Sequence, residues 1–210
     1  NLALVQYDPQ AIGDTHVETI RFNGRALAAG QKAFHVGRTV QGKWESDSTT
    51  IADVRPVGLP LPMVPFFRQT NLELIETKGG STTFIGGLLT DKKGRPSGLW
   101  ACFPNHGGDD DPDWWLGVPA KTINAFLENP KGSHSLGIEW STSALTEARK
   151  RGLAPAVAAE IERHDPWNRQ LLEVTRITKG GPADGTLTEG DLLVRADSEY
   201  VTRFSDIEDS

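Results

Sequence analysis

The sequence is poor in several features, and each absence excludes a class of protein. It contains one cysteine, Cys102, in 210 residues, which excludes an internal disulfide framework and a zinc site built from several cysteines. Its apolar runs are far shorter than the roughly 20 residues that cross a bilayer, so no membrane span is predicted. Acidic residues outnumber Lys and Arg by 28 to 22, and no basic cluster is present, which argues against nucleic acid as a partner.

Metal and thiol chemistry are equally unsupported. The five histidines show no H-x-x-x-H or comparable ligand spacing, so we predict no metal and no other cofactor. The acidic stretch from His106 to Asp113 lacks the alternating ligands and final Glu of a calcium loop, and it favours a solvated hairpin tip. Cys102 is interpreted as a buried, small apolar residue, and His35 as a satisfied histidine inside a barrel. Trp114-Trp115 is either an exposed anchor for a partner or a lid over the barrel end, and we favour the lid.

Short runs of β-branched and aromatic residues, separated by Gly and Pro, dominate the first two-thirds of the chain. This texture predicts an antiparallel barrel or sandwich, followed by one helix after Pro119 that stops at Pro130. The predicted strands are Leu2–Tyr7, Lys32–Gly37, Thr50–Val54, Leu72–Ile75, Gly87–Thr90 and Gly98–Phe103.

The pattern changes after residues 129–133, where we predict a domain boundary, so that the domains are 1–130 and 131–210. The second part is predicted to hold strands at Leu136–Trp140, Leu171–Val174 and Asp191–Val194. Ser143 is predicted to cap a first helix, and Pro155 to open a second one. Both ends of the sequence look cut, which predicts a piece of a longer polypeptide.

The stretch Gly86–Trp100 resembles the nucleophile strand and following hairpin of the HtrA/Deg serine proteases. Gln69-Thr70-Asn71, Gly30–Gly37, Leu2–Val5 and Leu116–Pro119 resemble other segments of that family's trypsin-like domain, in the same order along the chain. The resemblance implies a mainly β fold, a partial trypsin-like protease barrel followed by a partial HtrA-type PDZ domain.

The PDZ part of the resemblance lies after residue 130. Ser135-Leu136-Gly137-Ile138 is similar to the carboxylate-binding Gly-Leu-Gly-Phe strand, and Gly181-Pro182-Ala183 with Leu187–Asp191 to a second PDZ signature. Further matches, among them Gly152-Leu153 and Asp165-Pro166, resemble the tandem, double-length HtrA-like proteins of plants and fungi, in which a second protease-like half is degenerate.

Read residue by residue, the resemblance implies a defective catalytic site. It places Asn1 where the triad aspartate belongs, Ile85 where the nucleophilic serine belongs and Thr83 at an oxyanion-loop glycine. A hydrocarbon cannot attack a carbonyl, and an amide cannot neutralise an imidazolium. The neighbouring apolar residues Phe84 and Leu88 are interpreted, together with Ile85, as core that fills the former cleft.

Three functions stay open on the sequence. The preferred one is a catalytically inactive HtrA-related segment that scaffolds, oligomerises or presents substrate in protein quality control. The second is an active serine endopeptidase that uses a displaced hydroxyl, Ser81, Thr82 or Thr83, with a His from outside this chain. The third is a peptide-binding adaptor without proteolysis.

The resemblance also implies the partners. A polypeptide C-terminus or an unfolded segment would add a strand beside Leu136–Trp140, with its carboxylate at Ser135, Leu136, Gly137 and Ile138. Further partners would be the rest of a longer HtrA-like chain or further copies of this chain. The sequence predicts neither the substrate nor the cellular compartment. The resemblance implies a periplasmic protein if the source is a bacterium, and an organellar or nuclear protein if it is a eukaryote.

Overall fold

The structure is a computed structural model, and it describes residues 2–23, 26–58, 71–79, 84–103, 113–130 and 135–208. The chain divides into two compact units. The first comprises residues 1–54 and 74–133, and the second comprises residues 55–73 and 134–210. The contiguous domains 1–130 and 131–210 therefore stay a prediction, while the segment 55–73 clusters with the second unit.

Six strands, most of whose residues belong to the first unit, form a closed barrel with the strand order β1-β2-β3-β6-β5-β4, in which β4 pairs back onto β1. Its strands are β1 (Lys32–Thr39), β2 (Trp44–Val57), β3 (Leu72–Lys78), β4 (Phe84–Thr90), β5 (Pro96–Phe103) and β6 (Trp114–Pro119). Alternate side chains point inward because a strand repeats every two residues. The barrel core includes a cluster of Ala33, Ile51, Ile75, Leu89 and Trp100. The predicted mainly β fold with a barrel is confirmed.

One predicted strand is wrong. Residues 2–7 form no strand, and Leu4, Val5 and Tyr7 are 63%, 79% and 54% exposed. An apolar run becomes a strand only where another strand satisfies its backbone N–H and C=O groups. Within the part of the chain that the structure describes, no strand pairs with this run.

The predicted helix after Pro119 is confirmed as α1 (Ala120–Glu128), which buries Ala120 and Ile123. Its start follows from Pro119, whose fixed φ of −60° suits the residue before a helix. β6, which precedes the helix directly, was not among the predicted strands. Gly117 interrupts its apolar run, and the Cβ of any other residue there would lie 2.5 Å from a methyl group of Leu89.

The second unit contains a three-stranded antiparallel sheet in the order β7-β8-β9. It is built from β7 (Ile138–Ala144), α2 (Leu145–Lys150), α3 (Pro155–His164), β8 (Gln170–Ile177), β9 (Leu192–Leu193), β10 (Arg195–Ala196), β11 (Glu199–Tyr200) and α4 (Phe204–Glu208). Three buried clusters, centred on Leu171, Val174 and Leu172, hold the sheet against the helices and turns.

The predicted helix cap at Ser143 is wrong. Ser143 lies inside β7, pairs with Leu171 and is 7% exposed. α2 starts two residues later, after Ala144, and no side chain caps it. The strand extends further than predicted because β8 offers it partners as far as Gln170, and ladder pairing outweighs the weak preference of a serine for a cap. The predicted start of α3 at Pro155 is confirmed.

Candidate functional site

The turn that would carry protease chemistry leads into β4. Of the catalytic positions predicted from the resemblance, Asn1, Ser81, Thr82 and Thr83 lie outside the described residues. Phe84 is 1% exposed and Ile85 is 62% exposed. The interpretation as core is thus confirmed for Phe84 and wrong for Ile85, because adjacent residues of a strand face opposite sides and Phe84 takes the inner side. Leu88 is half-buried.

Two glycines, Gly87 in β4 and Gly37 in the facing strand β1, have a structural role in the barrel. A Cβ on Gly87 would lie 2.2 Å from the carbonyl oxygen of Val36, and one on Gly37 would lie 2.3 Å from that of Gly86. The register between β1 and β4 shifts at this place, between Gly37 and Thr39. These glycines therefore let two barrel strands approach closely, whether or not the turn before them does chemistry.

His35 is a histidine of barrel strand β1, and histidine is the side chain that most often acts as a general base. It is 1% exposed inside the barrel, its ring centroid lies 4.3 Å from that of Trp100, and Nε2 lies 3.5 Å from the Thr77 hydroxyl oxygen. The prediction of a buried barrel histidine is confirmed, but it is not fully satisfied: Nδ1 has no partner within the described residues. A substrate cannot reach a group that is enclosed in this way.

The burial of His35 makes a prediction about pH. Desolvation lowers the pKa of its imidazole below 6.5, against a smaller opposing effect of the Asp47 charge. The unfolded chain binds the proton of His35 more readily than the folded chain does. The free energy of unfolding of the barrel should therefore keep its whole contribution from neutral His35 above pH 6.5, and it should decrease as the pH drops below 6.5. Denaturant titrations between pH 4.5 and 8, followed by tryptophan fluorescence, measure this slope.

The matched control is a second histidine at an exposed place. His35→Gln should flatten the pH dependence over this window, whereas His16→Gln, at a side chain that is 84% exposed, should keep the wild-type slope. Equal slopes for the wild type and His35→Gln would contradict the prediction.

Cys102 and the tryptophan pair give no catalytic group. Burial, then the neighbouring Asp113 carboxylate, raises the pKa of the Cys102 thiol, and its Sγ donates to Asp113 at 3.5 Å. A thiolate is therefore disfavoured, as predicted, although the residue is half-buried rather than buried. Trp114 and Trp115 lie in β6, and Trp115 packs against the barrel core. The acidic stretch before them, residues 106–112, lies outside the described residues.

An apolar cavity of about 420 Å³ lies beside β1, β4 and β5. Its lining includes Ile20, Val36, Trp44 and Leu88, and none of the described residues that line it has a titratable or nucleophilic side chain. Among the residues that the structure describes, no group of His, Cys, Asp and Glu could hold a metal ion.

The second unit offers a different kind of site, the edge of a sheet. β7 is the outermost strand of the β7-β8-β9 sheet, so one side of its backbone has no neighbouring strand in that sheet. The carbonyls of Gly137 and Glu139 face β8, because they accept from the Thr178 N–H and the Thr175 hydroxyl. The backbone N–H and C=O groups of Ile138 and Trp140 therefore point away from β8, to the outer edge of the sheet.

The predicted carboxylate loop leads directly into this strand. Leu136 is 50% exposed and Ile138 is 5% exposed. Gly137 has φ +70°, and its N–H donates to the Ser135 hydroxyl at 3.0 Å. The left-handed conformation favours glycine, and a Cβ there would also meet the Thr178 side chain at 3.2 Å. The structure thus brings the four predicted residues together at the start of an edge strand.

Two residues of this site were missed by the sequence reasoning, Asn71 and Glu73. The Asn71 carboxamide bonds the outer edge of β7, donating to the Ile138 carbonyl at 2.8 Å and accepting from the Trp140 N–H at 2.8 Å. Glu73 pairs with the Arg203 guanidinium and accepts from the Ser205 N–H at 3.2 Å. The sequence singled out Asn71 only within Gln69-Thr70-Asn71, as a match to the trypsin-like domain, and that match names no partner for its side chain.

No family model matches the chain. It is 26% identical over 219 residues to the PDZ domain-containing protein C23G3.12c of Schizosaccharomyces pombe. It is 27% identical over 216 residues to the pro-apoptotic serine protease NMA111 of Eremothecium gossypii, and 25% identical over 236 residues to Protease Do-like 7 of Arabidopsis thaliana. Each match covers 99% of this chain and 22% of the relative, so the chain spans about a fifth of their length.

Solved structures carry the same fold. The HtrA-type protease AlgW with a tripeptide superposes with a TM-score of 0.54 at 18% identity, over 90% of this chain and 59% of AlgW. AlgW with a decapeptide gives 0.51 at 16% identity, over 90% and 55% of the two chains. No described helix has the length and apolar character needed to span a bilayer.

Proposed function

We propose that this chain, which is related to the HtrA-type serine proteases with a PDZ domain, is a non-catalytic segment of such a protein that binds extended polypeptide C-termini. The observation that carries the non-catalytic part is Ile85. A hydrocarbon that is 62% exposed stands where the resemblance puts the nucleophile, and a hydrocarbon forms no acyl-enzyme.

The surroundings of Ile85 support this proposal. The structure describes three histidines. His35 is enclosed in the barrel, His16 lies beside Glu18 with both side chains 84% exposed, and His164 is an exposed residue at the end of α3 in the second unit. Acyl transfer requires a base within hydrogen-bond reach of the nucleophile and preorganised donors for the oxyanion. The segment would then act by holding a polypeptide for a catalytic site in another part of the parent protein or in another chain.

The peptide-binding part rests on the outer edge of β7. A strand that is added to an open edge gains main-chain hydrogen bonds with little dependence on its sequence, and backbone N–H groups of the preceding loop suit a terminal carboxylate. AlgW, whose fold this chain shares, has been solved with a tripeptide and with a decapeptide. We place peptide binding in this chain at the loop Ser135–Ile138 and strand β7.

Covalent labelling tests the non-catalytic proposal. The wild-type chain and an Ile85→Ser variant are incubated separately with a fluorescent fluorophosphonate. An active serine protease, incubated in the same way, is the positive control. We expect no labelling of either, because a serine hydroxyl without a base is not nucleophilic at neutral pH, and no release of dye from labelled casein. Ile85 is exposed, so the substitution should leave the fold intact.

Two outcomes of this assay count against the proposal. Labelling of the wild-type chain would reveal a displaced hydroxyl and establish the active endopeptidase instead. Labelling of the Ile85→Ser variant alone would contradict the argument from the surroundings of Ile85, because it would mean that a base and oxyanion donors still adjoin position 85.

A further inference from the structure

We infer that the chain blocks its own peptide site: the segment Asn71–Glu73 occupies the outer edge of β7, and a polypeptide C-terminus binds only when it displaces this segment. The inference rests on the proposed peptide-binding function and concerns its regulation. All contacts that carry it lie within the second unit, to which residues 55–73 belong.

The first contact imitates an added strand. The carboxamide of Asn71 has an N–H donor and a C=O acceptor, as a peptide group does. Its N–H donates to the Ile138 carbonyl at 2.8 Å, and its oxygen accepts from the Trp140 N–H at 2.8 Å. A peptide that extends the sheet needs the same two groups. Asn71 and an added strand therefore compete for them.

The backbone conformation at this residue indicates that the contact is specific. Asn71 has φ +56°, in the left-handed region that asparagine tolerates better than most residues. Residues in sparsely populated backbone regions persist where the surrounding contacts hold them. The two hydrogen bonds to β7 are contacts of this kind.

A second contact fixes the same segment two residues later. Glu73 forms an ion pair with Arg203, with the two side chains 11% and 31% exposed, and accepts from the Ser205 N–H beside the start of α4. Arg203 and Ser205 adjoin Phe204, which packs in one cluster with Leu172 and Val201, and Trp140 of β7 packs against that cluster. The segment Asn71–Glu73 is thus attached to β7 at one end and to the start of α4 at the other.

Competition of this kind lowers the apparent affinity of a ligand by the fraction of molecules whose site is open. Removing the two hydrogen bonds of Asn71 should open the site and tighten peptide binding by on the order of 10-fold. A residue that merely supported the fold would give the opposite sign or no change, because its loss would loosen the site.

The test measures fluorescence anisotropy with a pool of fluorescein-labelled decapeptides. Each peptide has a free carboxylate and Val, Leu or Phe at its last position, since Ile138 and Trp140 make the adjoining surface apolar; the amidated pool reports binding without a carboxylate. Asn71→Ala is compared with the wild type and with Asn168→Ala, which removes an asparagine of the same unit that bonds Asp165 instead. We expect about 10-fold tighter binding for Asn71→Ala alone, and tighter binding also for Glu73→Gln.

The outcomes separate the inference from the function on which it rests. Equal dissociation constants for the wild type and Asn71→Ala, or weaker binding by the variant, would overturn the block while leaving peptide binding intact. Absence of binding by every variant would overturn the peptide-binding function itself. An independent measurement on the wild type follows the Asn71 side-chain amide by NMR: saturating peptide should move its resonances to the position of a free carboxamide, and unchanged resonances in a peptide complex would contradict displacement.

Discussion

Gly87→Ala should destabilise the barrel by about 3 kcal/mol or more, because its new methyl group has no space. That methyl would lie 2.2 Å from the Val36 carbonyl oxygen and 2.8 Å from the Gly37 Cα, and both obstacles are backbone atoms of the neighbouring strand. Flexible side chains move aside at small cost, whereas a paired strand does not. Hydrogen–deuterium exchange of peptides from β1 and β4 measures the loss directly.

Gly58→Ala is the matched control for this substitution. A Cβ at Gly58 meets no atom of the described residues within 4 Å, and its φ is not left-handed, so we expect a change within about 0.5 kcal/mol. Comparable protection of β1 and β4 in Gly87→Ala and the wild type would mean that the strands do not approach as described. The double glycine, which in the resemblance marks a catalytic turn, would then need another explanation.

Leu172→Ala should destabilise the second unit by about 2–5 kcal/mol. Leu172 is fully buried in β8, where it packs with Val201 and Phe204, and Trp140 and Leu193 adjoin the cluster. Truncation leaves a cavity beneath both β7 and α4, so the peptide edge should loosen together with the core. Because two units can unfold separately, exchange protection of peptides from β8 is a better measure than one global transition.

Leu136→Ala provides the same chemical change at a residue that is 50% exposed. It should cost less than about 1 kcal/mol, since half of the side chain already contacts water. Equal losses of protection in β8 for the two variants would contradict the position of Leu172 in the core. Peptide affinity is measured in parallel, because Leu136 belongs to the predicted carboxylate loop and Leu172 does not.

Local patterns in the chain predicted most of the elements. A short run of β-branched and aromatic residues identified β1, Pro119 the start of α1, and Pro155 that of α3. Strand preference and the geometry of proline both act over a few residues, so a local pattern reveals them. The same reasoning failed at Leu2–Tyr7 and at Ser143. In both cases the outcome depended on whether a second strand was available for pairing, and a single segment does not contain that information.

The sequence by itself determined the chemistry that each position can supply: a hydrocarbon at Ile85, one thiol at Cys102 and glycines where two backbones must touch. Only the tertiary structure decided which groups meet. Asn71 lies 67 residues before Ile138 and 69 before Trp140, yet its carboxamide satisfies both. Such a contact forms because the folding of distant elements brings one amide to an open strand edge, and no spacing along the chain encodes that arrangement.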